Sequence, residues 1–138
     1  MVRASQKGIE IFARLAIGLG FLSASMDRLG LWNGLLGQDQ IAWGNWSAFV
    51  QYTHALMPWA PEFLAALSGG IATLAEMVFG VLLLWGWKIR LIANLSGILL
   101  LLFAVAMFSQ QVKSPFDYSV FSAAAACFLL ARISSRST

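Results

Sequence analysis

One carboxylate in the middle of an apolar run constrains this chain more than any other feature. From Gly69 to Gly86 the sequence reads GGIATLAEMVFGVLLLWG, and Glu76 is its only ionisable residue. A charge at mid-depth of a helix in hydrocarbon costs roughly 2.5–3.5 kcal/mol on insertion scales, so Glu76 needs a partner, a proton or water. Arg14 is the only basic residue inside another apolar run, and the first expectation is that the two meet.

The rest of the composition agrees with a membrane setting. In 138 residues there is room for one domain, taken as residues 1–138, and 59% of them are hydrophobic. A mean hydropathy of +0.76 is too high for a soluble domain. Only 11% are charged, and the net charge of +3 comes from basic residues at the ends of apolar runs. That pattern is an orientation signal, with no nucleic-acid partner expected. The single cysteine, Cys127, lies among alanines. It has no internal disulfide partner, and one Cys with one His makes no metal quartet.

Four spans are expected, at about residues 9–26, 63–87, 91–108 and 116–133. Glu10 and Arg14 interrupt the first, which argues against a cleaved signal peptide. At about 100° per residue Glu10, Arg14, Gly18, Ser25 and Arg28 form one polar or small face. The connection from Leu29 to Glu62 is rich in Gly, Pro and Trp and suits the membrane surface. Within it, Asn45 to Met57 reads as an amphipathic interfacial helix stopped before Pro58. Trp85-Gly86-Trp87-Lys88 leaves room only for a tight turn, so the second and third spans form an antiparallel hairpin. The predicted fold is therefore all-α, a four-transmembrane-helix bundle with an extracytoplasmic amphipathic helix between helices 1 and 2.

Arg3, Lys7, Lys88, Arg90, Arg132 and Arg136 fall on one side of this arrangement, against Arg28 and Lys113 on the other. The positive-inside rule makes both termini cytoplasmic. At 1.5 Å per residue Arg14 is about 8 Å and Glu76 about 15 Å from the inner surface, with Asn94 about 6–8 Å deep. Arg14, Glu76 and Asn94 thus form a candidate buried ligand or proton site. Arg28, Gln110, Gln111 and Asp117, with His54 on the covering helix, form a candidate outer polar site. Structural readings stand beside both: an ion pair that fixes packing, Asn94 bonding between helices, Asp117 favoured by a helix N-terminus, and His54 as an interfacial residue.

Several short stretches resemble the DoxX family of small integral membrane proteins. Arg14-Leu15 with Gly18, followed by Ser25-Met26-Asp27-Arg28-Leu29, is similar to the family's first-helix pattern. Glu76, Gly80, Leu82-Leu83-Leu84, Gly86 and Arg90 resemble its second-helix pattern, and Pro115-Phe116-Asp117-Tyr118 resembles the start of its fourth helix. Arg28 stands where members commonly have lysine, and the Trp-rich connection is longer than in minimal members. The resemblance implies a bacterial-type inner-membrane protein, with some relatives linked to quinone-coupled oxidation of thiosulfate or to thiol redox complexes. It therefore implies quinone as the cofactor and a separate sulfur or thiol oxidoreductase as partner, this chain being at most a non-catalytic or quinone-linked subunit. Two rival functions remain open: a carrier or channel for a small solute or protons, and an assembly or adaptor protein. The lipid bilayer is a partner in every case, and small-residue faces permit a homo-oligomer.

Overall fold

The computed structural model describes residues 2–110 and 113–134, with side chains from residue 5 onward. Among them the regular structure is helical, as expected. The elements are α1 (Val2–Arg28), α2 (Trp46–Leu56), α3 (Glu62–Trp85), α4 (Ile89–Gln110), a single turn α5 (Ser114–Asp117) and α6 (Val120–Ser134), with a short 3-10 turn at Gln38–Gln40. Three helical stretches, Ser5–Arg28, Glu62–Trp85 and Ile89–Gln110, are long and apolar enough to cross a membrane. Their exposed side chains are largely apolar, such as Phe12, Leu19, Ile71, Leu74, Leu102 and Val105. This is the surface of a membrane protein, which meets lipid where a soluble protein meets water.

The last apolar stretch departs from expectation. Instead of one helix from residue 116, α5 stops after four residues and α6 begins at Val120. Ser119 adopts a left-handed φ of +54°, a conformation that no helix continues through. Alone, α6 has 15 residues, about 22 Å at 1.5 Å per residue.

The four longer helices form a ring in which α1 packs on α3 and α6, and α4 packs on α3 and α6. Among the described residues neither α1 and α4 nor α3 and α6 approach closely across it. One core cluster, Leu83, Ile92, Ala93, Leu130 and Ala131, closes the end of the ring at the α3–α4 turn. A second, Ala104, Met107 and Val120, lies toward α2, which packs on α3, α4 and α1 at the opposite end.

Local chemistry explains the boundaries. Asn45 caps α2, its Oδ1 accepting from Ala48 N at 2.9 Å, and Pro58 follows the C-cap Met57. Gly86, at φ +85°, ends α3, with the N–H groups of Gly86 and Trp87 both donating to the Leu82 carbonyl. A side chain there would be strained and would also run into the Arg14 guanidinium.

Candidate functional site

Glu76 has a basic partner, and it is Arg28. Both are buried, at 3% and 5% exposure. Arg28 Nη1 and Nη2 both bond the Glu76 carboxylate, the second at 3.2 Å to Oε1. Nη1 also donates to Thr73 Oγ1 at 3.0 Å. The guanidinium carbon lies 4.4 Å from the centre of the Phe49 ring and 5.2 Å from that of Trp43. An arginine held by a two-pronged carboxylate contact and covered by aromatic faces is far better compensated than a lone buried charge.

Arg14 does not reach this pair. Its Nε donates to the Leu83 carbonyl at 2.8 Å and its Nη2 to that of Leu84 at 3.0 Å, with Glu10 4.0 Å away. The last carbonyls of a helix have no partner within it and carry the negative end of its dipole, so Arg14 serves as a cap for α3. The expected Arg14–Glu76 meeting is thus replaced by two separate contacts. Gly18 lies opposite Gly80, which brings Leu22 level with Glu76. At 1.5 Å per residue Glu76 is then about 9 Å along the axis from Arg28 and about 12 Å from Arg14. Direction decides between them. Helical side chains lean toward their own N-terminus, so in antiparallel α1 and α3 Arg28 and Glu76 lean toward each other, while Arg14 leans away.

The remaining candidates do not gather around the pair. Asn94 is half-buried on α4. Counting out from the turn between α3 and α4, it is level with Gly80, about 6 Å from the level of Glu76. His54, in the last turn of α2, holds the Ala60 carbonyl through Nε2 at 2.9 Å. Asp117 is exposed and pairs with Lys113 at 3.7 Å. Gln110 is exposed at the end of α4, and Gln111 lies outside the described residues. The outer polar site therefore does not form as expected, because Arg28 turns inward to Glu76 while His54 and Asp117 have partners of their own.

Other residues complete the site. Asp27 is buried and accepts the backbone N–H groups of Ala42 at 2.8 Å, Trp43 at 3.3 Å and Gly44 at 2.9 Å. This clamp fixes the connecting loop to the end of α1 and holds Trp43 over Arg28. Asn33 Nδ2 adds a bond to the Gly44 carbonyl at 2.6 Å. Thr73 stands one helical turn before Glu76 on the same face, a spacing that was there to be read. Asp27, next to Arg28 in sequence, gives no such signal.

Beneath α2 the pair opens on a cavity of about 660 Å³ between α1, α3, α4 and α6. Arg28, Glu76, Trp43, Phe49 and Tyr52 line it toward α2, and Ala16, Ile17, Gly20, Ala123 and Ala126 line its deeper part. From Arg28 to Ala16 it follows α1 for about 18 Å at 1.5 Å per residue. Burial pushes the Tyr52 phenol above the usual range. Arg28 Nε is buried without a hydrogen-bond partner among the described residues. Among those residues no group of three or more His, Cys, Asp or Glu is placed to hold a metal ion. The arrangement offers a mostly apolar volume with a buried donor at one end. No family model, curated protein or solved structure matches this chain.

Proposed function

We propose that this chain is a DoxX-like inner-membrane protein whose helical bundle binds a quinone beside Arg28 and Glu76, working with a separate sulfur or thiol oxidoreductase. The reading takes α1, α3, α4 and α5–α6 as four spans, α2 as an extracytoplasmic interfacial helix and both termini as cytoplasmic. The basic residues at the α3–α4 turn, Lys88 and Arg90, favour that orientation.

The cavity carries the proposal. Its volume, about 660 Å³, falls in the range of small-molecule sites, roughly 300–1,000 Å³. Leu102, 62% exposed, and Tyr118, 69% exposed, also line it. The cavity therefore reaches the lipid-facing surface, which suits a ligand that arrives through the bilayer. A quinone ring is flat and apolar with polar edges, and the cavity matches it with apolar and aromatic walls and the Arg28–Glu76 pair at the α2 end. One specific observation favours the assembly or adaptor reading: both Arg28 Nη groups are already engaged by Glu76 and Thr73, as in an ion pair that only fixes packing.

The test is quinone titration of the protein in nanodiscs, read by quenching of Trp43 fluorescence. Saturable quenching that disappears when the pair is replaced together, Arg28→Met with Glu76→Leu, is the expected result. A folded double variant that binds as well as wild type removes the site, and quenching that does not saturate in wild type removes the quinone.

A further inference from the structure

α1 and α6 are in contact near the α3–α4 turn, where Ala13 and Ile17 pack against the cluster that holds Leu130 and Ala131. Farther along, α1 lines the cavity with Gly20, Phe21 and Ala24 and α6 lines it with Val120, Ala123 and Ala126, so apart from Phe21 and Val120 this wall is built of glycine and alanine. A Cβ built on Gly20 meets no other atom within 4 Å. Gly20 is exposed and also lines the cavity, so the cavity reaches the seam between α1 and α6 at a residue with no side chain to close it. Arg28, which lines the cavity together with Glu76, lies eight residues farther along α1, about 12 Å at 1.5 Å per residue.

We infer that the ligand is an amphiphile whose polar head sits beside the Arg28–Glu76 pair and whose apolar chain runs along α1 and leaves through a slot between α1 and α6, with Gly20 deciding whether a chain passes. This rests on the ligand-binding reading above and adds to it a ligand class, an orientation and a specificity residue. A head alone would fill only the α2 end of the cavity. The deeper part, lined by Ala16, Ile17 and Ala126, is apolar and suits a chain. The same chemistry belongs to a long-chain quinone and to a membrane lipid, and the experiment separates them.

The test compares wild type, Gly20→Leu and Gly8→Leu in nanodiscs, titrated with a dimethoxy-methyl-benzoquinone bearing a decyl chain and with the same ring lacking it. Gly8 lies on α1 outside the cavity with open space around it, so Gly8→Leu controls for a leucine on this helix. Leucine also favours helix over glycine, so neither change should lower the melting temperature. If Gly20→Leu does lower it, Ala123→Leu on the facing lip supplies the same readings. Gly20→Leu is expected to weaken the decyl compound about tenfold or more, the loss of roughly two buried methylenes, while Gly8→Leu binds as wild type. The chainless ring should change less than about twofold in both variants. Equal weakening of both compounds, or no change for the decyl compound, overturns the inference. Native mass spectrometry of the same three proteins covers the case in which wild type binds neither quinone. A lipid retained by wild type and Gly8→Leu but lost from Gly20→Leu then removes the quinone and keeps the slot. Retention unaffected by Gly20→Leu overturns the slot as well.

Discussion

Gly18 and Gly80 meet backbone to backbone where α1 crosses α3: a Cβ on either would lie 3.0 Å from the carbonyl oxygen of the other. This contact sets the relative height of the two helices. It puts the α1 end that carries Arg28 within side-chain reach of Glu76 and leaves Arg14 at the carbonyl end of α3. Small residues at a helix crossing in a membrane permit this approach, and here it decides which cation the buried carboxylate receives.

Gly18→Leu should therefore disturb both ends of the α1–α3 interface. Overpacking of a close contact costs typically 1–3 kcal/mol, so a lower unfolding midpoint in detergent is expected. Gly20→Leu, two residues away in open space, should leave the midpoint at or above that of wild type.

Glu76→Leu alone leaves Arg28 buried and uncompensated. A loss of about 3–5 kcal/mol is expected when one half of such a pair is removed, with much of it recovered in Arg28→Met/Glu76→Leu. A double-mutant cycle on unfolding free energies measures this coupling, and additive effects would contradict it.

Arg14→Gln removes two charge-assisted bonds to the end of α3. It should cost about 1–3 kcal/mol of stability, the scale of charged hydrogen bonds and helix-end charges. Quinone titration should not change, because Arg14 does not line the cavity.

Asp27→Ala should free the loop over Arg28. The N–H groups of Ala42 and Gly44 lose their acceptor, and hydrogen exchange at those two amides should accelerate, while amides in the middle of α3 keep their protection. Trp43 emission should shift as its ring leaves Arg28.

Much of the architecture is legible in local patterns. Asn45 and Pro58 bracket α2 with capping chemistry, and the Gly86 turn forces α3 and α4 into a hairpin. The break at Ser119 escapes because the sequence shows no Gly or Pro there, only a serine in a left-handed conformation. At the site, Glu76 stands out as a lone carboxylate in an apolar run, but its partner does not. Depth counted from the expected span ends put Arg14 about 7 Å from the level of Glu76. The Gly18–Gly80 contact makes it about 12 Å and Arg28 about 9 Å, and the lean of side chains toward each helix's own N-terminus adds to the difference. The cavity depends on where α1 and α6 separate, which no single-helix pattern encodes. Asp27 acts through loop amides, and nothing in the side-chain pattern marks those.

The most direct measurement extracts wild type, Arg14→Gln and Arg28→Met/Glu76→Leu from the native membrane into nanodiscs and quantifies the accompanying small molecules by mass spectrometry. The account predicts quinone enriched over bulk lipid with wild type and Arg14→Gln, and lost from the double variant. Wild type without enriched quinone, or a folded double variant that retains it, would contradict the account.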